Sequence, residues 1–501
     1  WYTVGTGNSS DAIWSENPVG TGETLNSGKF KRLVVQSGNT LTLDDDLIAR
    51  DFSIDGTFNG GSDELIIYGN YVNDGTLDSQ TGTITFKGEA NQSILGASGN
   101  TFNNLKIDND GGSVTMNGDV SIKAVLSPEE GTLLLNSNDL TLISDATGTA
   151  SIGEFKSGAA ITGDITMQRH IPAGDLDWIN IGVGLTGLQI SDWSDDIATS
   201  GFVGSDAPNY PINNIQKYDE TSTGGLNVGW EESTNTTDLL SVDKGYMVYC
   251  LPASQSLDMK GGIQQGSITQ AIDFTAGDGL TIDGWNLVNN KYPSAIDWDA
   301  LVALSSNVST YYMYDSETDA YLSRNGITAV GTAPQYIASG QSFWVKADAA
   351  SASLQWEESI KTAAASTFER NESSLPSIEF VLQAEGYTDH AFVSFMEGAT
   401  SNYENAYDAF NFGSMNPDVP ALGTLDPQGY LLEQNTHGSL VEAVSIPLRI
   451  EAGAAGSFEF SVANMSNLPS SSCITLEDSE LGTSEVLSEG LTWIVTLEEG
   501  E

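Results

Sequence analysis

Two aspartates, Asp297 and Asp299, flank Trp298 in the stretch NLVNNKYPSAIDWDAL, residues 286–301. Paired carboxylates beside an aromatic ring suit sugar binding, metal binding or acid–base catalysis. They also suit the start of a helix. Trp298, Leu301, Val302 and Leu304 fall at helical spacing and predict a helix over 297–306. Asp297 then stands at the N-cap, where its carboxylate accepts from the open amides of the first turn. Asp299 lies in that turn and meets the positive end of the helix dipole. Tyr292 precedes Pro293, which biases the approach toward extended backbone. A structural role therefore takes precedence for this pair.

Other residues with chemistry to offer are few. Asp44, Asp45 and Asp46 follow the strand-like TLTL (40–43) at a turn. They form the one candidate metal site, for calcium, against the simpler reading of a solvated turn. The run DNDGGSVTMNGD (108–119) has the look of a calcium loop, but Asp119 stands where that loop needs glutamate. His170, His390 and His437 are scattered and share no ligand spacing. Cys250 and Cys473 lie far apart, which favours free thiols. No nucleophile elbow, zinc spacing or phosphate loop is present. The basic residues of 33–160 are Arg50, Lys87, Lys106, Lys123 and Lys156, too dispersed for the clustered site of a polysaccharide-cleaving β-helix. No catalytic or cofactor-binding residue is assigned, no enzyme is expected, and calcium is the single candidate cofactor.

The elements around these residues read as strands. The chain has 501 residues and 53 glycines, and 39% of it is hydrophobic. That is too long for one core and too apolar for disorder, and it is rich in turn formers. With 68 acidic against 18 basic residues the net charge is −50, which repels phosphate backbones and excludes nucleic acid as a partner. No apolar run is long enough to span a membrane. Over 1–160 short strands alternate with Gly, Asn and Asp turns. DGTF at Asp55 recurs as DGTL at Asp74, and GSVTM at Gly112 recurs as GTLLL at Gly131, both a step of 19. A repeat of this length in a strand-rich chain predicts a right-handed parallel β-helix-like solenoid. The competing reading is an antiparallel sandwich.

Residues 161–360 hold seven of the ten tryptophans and predict a central β-rich domain with a short helix. Residues 361–375 read as a linker. From 376 to 501, alternating strands at regular spacing predict a β-sandwich. The fold class is therefore all-β.

The stretch 286–301 also resembles a motif of large Bacteroidota surface proteins exported by the type IX secretion system. There it usually reads Asn-Leu-x-Gly-Asn-Pro-Tyr-Pro-Ser-Ala-Ile-Asp-Trp. Asn289 departs at the glycine and Lys291 at the first proline. YTVGTGNSSDAIWS (2–15), GTITFKGEANQSILGASGNTFNNLKIDNDGG (82–112), YIASGQSFWVKA (336–347) and IPLRIEAGAAGSFEFSVANMSNLPSSSCITLEDSELGT (446–483) are similar to other parts of such proteins. The resemblance implies export through that machinery, an extracellular or outer-surface location, and a sorting domain after Glu501 that is absent here or cleaved. It carries no catalytic residues.

Three functions compete: a secreted structural or adhesive protein without catalysis, a carbohydrate-binding array, and a polysaccharide-acting enzyme. Exposure of the tryptophans separates the first two. Candidate partners are a second copy of the chain, in a filament, or surface polysaccharide. A filament built by donor strands would leave an edge of the last domain open to WYTVGTG (1–7) of a neighbour.

Overall fold

The computed structural model describes residues 1–25, 31–173, 177–250, 253–315, 320–326, 329, 333–362, 375–384, 387–414, 418–441, 443–469, 472–478 and 482–498. Most of the expected linker, residues 363–374, lies outside them. The chain is all-β, about 50% strand, with one short α-helix among the described residues.

A β-solenoid of about six turns forms the N-terminal part. Strand pairs along its three columns are parallel. Arg32–Val35 pairs with Asp51–Ile54, which pairs with Tyr71–Asn73. Leu33 faces Phe52 and Phe52 faces Tyr71, each 19 positions on. On a second column Leu47, Leu65, Ile84, Leu105, Leu126 and Ile152 lie side by side in register. All six are buried. One turn cannot enclose its own apolar side chains, so each is closed by the turns above and below.

The recurring glycines mark where turns touch. A Cβ on Gly75 would sit 2.2 Å from the carbonyl oxygen of Gly56, and one on Gly56 would sit 2.3 Å from that of Gln36. Thr76 N–H donates to that same Gly56 carbonyl at 2.8 Å. The DGT signature therefore repeats because only glycine lets stacked turns approach this closely. Gly75→Ala is expected to cost about 1–3 kcal/mol through overpacking. Urea unfolding of the variant measures it.

The N-terminal segment packs on its own solenoid. Tyr2–Thr3 pairs antiparallel with Trp14–Ser15 and parallel with Arg32–Val35, and Gly7–Asn8 pairs with Thr40–Thr42. Against the donor role expected of residues 1–7, Tyr2, Thr3, Val4 and Gly7 already pair within the chain.

At the other end the stack stops where Ile165–Ile171 meets Gln255–Ile263 in antiparallel register. The solenoid core continues through Met167 into Leu188, Trp193, Tyr246 and Leu257 of this cap without a break. Beyond it, Trp285–Asn289, Ser342–Lys346, Thr310–Asp315 and Ala320–Asn325 form an antiparallel sheet in that order.

The conspicuous stretch 286–301 ties these parts together. Asn289 Nδ2 donates to the carbonyls of Val242 (2.7 Å) and Lys244 (3.1 Å). Asn290 Nδ2 donates to those of Ser294, Ile337 and Ala338. Ile152 of the solenoid donates to the Pro293 carbonyl at 2.8 Å. The single helix is Trp298–Leu304, inside the expected span.

The C-terminal part is an eight-stranded sheet ordered Leu448–Glu451, Ala421–Leu425, Leu431–His437, Tyr387–Phe395, Ser377–Ala384, Gly456–Ser466, Thr492–Leu497, with Ala409–Phe410 beside Leu431–His437. A hairpin, Thr475–Asp478 with Thr483–Val486, is the second and much smaller layer. Leu476 packs against the cluster of Ile378, Phe380 and Phe460. A separate aromatic cluster joins this part to the central sheet. Phe412 lies 4.2 Å from Trp285 and 4.6 Å from Tyr321, centroid to centroid.

Candidate functional site: a groove on the solenoid

Strand alternation sends every second side chain outward. On the column that begins at Leu47, two outward rows run along the solenoid axis. Glu64, Thr83, Asn104 and Val125 are in register, as are Ile66, Thr85, Lys106 and Ser127. From these rows Glu64, Thr83, Asn104, Val125, Lys106 and Ser127 line an open groove of about 540 Å³, which Asp46, Asp63 and Glu129 border. The side chains of a row repeat at the strand spacing, about 4.8 Å. Glu64 accepts from the Thr85 hydroxyl. Asp46 accepts from the Glu64 amide at 3.0 Å, and Asn104 Nδ2 donates to the Thr81 carbonyl at 3.2 Å. The groove thus offers carboxylates, hydroxyls, an amide and an ammonium beside the aliphatic Leu105 and Val125. Sequence reading noted Lys106 only as an isolated base; the register that aligns it with Thr85 and Ser127 emerges from the stacking.

The three aspartates at 44–46 diverge. Asp44 accepts from the Ser9 hydroxyl (2.7 Å), the Ser10 amide (3.1 Å) and the Ser10 hydroxyl (2.5 Å). The Ser10 hydroxyl, above the other donors, holds the Asp44 carboxyl below its usual range. Asp45 accepts from the Asp46 amide at 2.9 Å. Asp46 reaches the groove instead. Among the described residues no group of three His, Cys, Asp or Glu is placed to hold a metal ion. With Asp44 turned to Ser9 and Ser10 and Asp46 to the groove, adding a chelator is expected to leave the melting temperature unchanged, and a drop would reveal a stabilising ion.

Asp297 and Asp299 are positioned by the helix they begin. Asp297 accepts from the amides of Asp299 (3.0 Å) and Ala300 (3.3 Å), and Gln335 Nε2 donates to both its oxygens. Asp299 forms a two-pronged pair with the buried Arg324, Nε at 2.9 Å and the terminal nitrogen at 2.6 Å. That partner was not foreseen from the sequence. Asp297→Ala is expected to cost about 1 kcal/mol, read as a lower urea midpoint with unchanged slope.

A second set of ionisable groups gathers where the central and C-terminal sheets meet. Ser323 hydroxyl donates to Glu433 at 3.0 Å, and Asn325 Nδ2 donates to Gln434 Oε1 at 3.0 Å. Glu433 is 2% exposed and Asp408 is 1% exposed. Burial raises the Glu433 carboxyl well above the ordinary range, with Asp389 adding to the effect. Burial also pushes Asp408 up to about 7, although the amides of Thr436 (2.7 Å) and Glu404 (2.7 Å) donate to it. Ser323–Glu433 and Asn325–Gln434 thus cross the junction between the two sheets.

Most tryptophans of the central domain are placed inside. Trp193, Trp285, Trp298, Trp344 and Trp356 are at most 2% exposed. The half-buried Trp230 packs edge-on against Trp344 at 5.6 Å, and the half-buried Trp178 is tilted against Tyr249 at 5.4 Å. They do not form the exposed row that sugar stacking requires. Cys250 is buried and Cys473 exposed, both free. Burial pushes the Cys250 thiol up to about 12. No described helix is long and apolar enough to cross a membrane.

The fold defines an all-β protein with an N-terminal β-solenoid of about six turns. Residues 68–491 match the family described as Domain of unknown function (DUF8693), and the chain belongs to that family. No curated protein and no solved structure matches it.

Proposed function

We propose that this chain is a non-catalytic structural or adhesive protein of the cell exterior. The observation that carries the reading is the unbroken core, which runs from Trp14 through the solenoid into the cap at Met259. Such a body resists bending and holds its two ends at a fixed separation, as a spacer or an adhesive stalk must. A net charge of −50 supports life outside the cell, where salt screens self-repulsion. The export route, type IX secretion to the outer surface, rests on the resemblance of 286–301 and the other matching stretches. Labelling of intact native cells with an antibody to this chain tests the location, with surface staining expected. A deletion strain is expected to lose attachment. Full attachment, or a purified chain that turns over polysaccharide, overturns the proposal.

Carbohydrate binding is the second reading, favoured by the groove rather than by tryptophans. It takes the form of an extended polysaccharide lying along Glu64, Thr83, Asn104 and Lys106. Binding of a polysaccharide panel to the chain and to Lys106→Ala tests it. Retention by one glycan that the variant loses supports this reading; equal retention by both excludes the groove.

A further inference from the structure

The thin second layer of the C-terminal part leaves a space beneath it. A cavity of about 560 Å³ lies between the large sheet and Leu440, Val441, the segment 443–448 and the segment 472–476. Its floor is Ile378, Phe380, Val393 and Phe395 from two neighbouring strands. Ile446, Leu448, Ile474, Leu476 and Leu487 supply aliphatic walls. The volume falls within the range of sites that enclose small molecules, about 300–1,000 Å³. No described residue of its lining is charged, in a chain where 68 residues are acidic. The lining polar groups are the hydroxyls of Thr424, Ser472 and Thr475 and the thiol of Cys473. Val441 and Val444 stand at the mouth and are 85% and 48% exposed, a high exposure for large aliphatic groups beside an apolar space.

We propose that this cavity binds a neutral amphiphile, an acyl or isoprenoid chain with an uncharged alcohol or ester head. The aliphatic floor and walls take the chain. Hydroxyl donors and acceptors at the lining suit a head group that hydrogen-bonds without ionising. A carboxylate head finds no cation among the described lining residues, and the strongly negative surface opposes its approach. Burying an unpaired charge there carries a large desolvation penalty. An uncharged head avoids both terms, so charge complementarity selects the ligand. The proposal is independent of the solenoid groove and of the adhesive role.

Nile red, a neutral apolar fluorophore, reads occupancy in the whole chain. One saturable site per chain is expected, displaced by hexadecanol and at least tenfold less well by hexadecanoate. Ile446→Trp fills the space from a half-buried position and is expected to weaken dye binding at least tenfold. Cys473 gives a second readout without any substitution: its alkylation by a maleimide is expected to slow severalfold when hexadecanol is bound, while the buried Cys250 stays unreactive. Dye binding that does not saturate, or that Ile446→Trp leaves unchanged, overturns the site. Unchanged Cys473 alkylation in saturating hexadecanol does the same, whether or not the tryptophan variant folds. Equal displacement by hexadecanoate overturns the neutral-head assignment.

Discussion

Glu358→Gln is expected to remove about 3–5 kcal/mol of stability, because it strands a buried ammonium. Lys361 is 1% exposed at its side chain, and its ammonium lies 2.7 Å from Glu358. The rings of Tyr292 and Phe155 flank that ammonium at 4.4 and 4.7 Å. Burial lowers the Lys361 pKa, and the Glu358 charge opposes that fall. Glu358 has two further duties. It accepts from the Gly266 amide at 2.7 Å and from the Phe155 amide at 3.0 Å. One side chain thus joins the last turns of the solenoid to the segment after its cap. Glutamine keeps one acceptor oxygen and supplies no charge. Urea unfolding measures the loss. The double variant Glu358→Gln, Lys361→Met is expected to be more stable than Glu358→Gln alone, since the stranded charge is gone. A cost below about 1 kcal/mol for the single change would show that water reaches Lys361.

Stability is expected to fall as pH rises from 5 to 8, and Asp408 is the group to follow. Its folded pKa of about 7 lies above the unfolded value of about 4. A carboxyl raised in this way favours the folded state most below the unfolded value. The contribution is lost as pH climbs through 7, because ionisation must occur in a buried site. About three pKa units correspond to about 4 kcal/mol between pH 4 and pH 8. Glu433, also raised, acts in the same direction. Melting temperatures across this range should show a clear downward slope that Asp408→Asn reduces. An identical slope in the variant would place the effect in the surface charge instead.

The legible part of this fold was the part specified locally. DGTF and DGTL announced the stacked turns because a close backbone approach admits only glycine at Gly56 and Gly75. Asp297 announced its helix because a cap needs a carboxylate beside the first turn. The junction was illegible for the opposite reason. Ser323 and Glu433 are 110 positions apart, and nothing near either residue signals the other. The same holds for Asp299 and Arg324, whose pairing follows from how the helix packs on a strand. The groove lay between these cases. Its residues sit on recognisable strands, but their alignment depends on a spacing that widens from 19 at Phe52–Tyr71 to 21 at Ile84–Leu105. A fixed repeat read from the glycines cannot give that alignment. Among the tryptophans of the central domain, Trp193, Trp285, Trp298, Trp344 and Trp356 are core, while Trp178 and Trp230 are half-buried.

The solenoid ladder makes the length of this protein a quantity that can change in whole steps. Phe52 and Tyr71 occupy equivalent places on one column, each facing the residue 19 positions before it. Removing residues 52–70 would set Tyr71 opposite Leu33, with an aliphatic core and a backbone ladder still in line. Duplicating them would add a storey of about 4.8 Å. The cap and the C-terminal sheets would be carried nearer or farther without any change to their own contacts. A lineage could therefore tune the reach of whatever the far end presents by copying or dropping short stretches of gene, with no new interface to invent at each step.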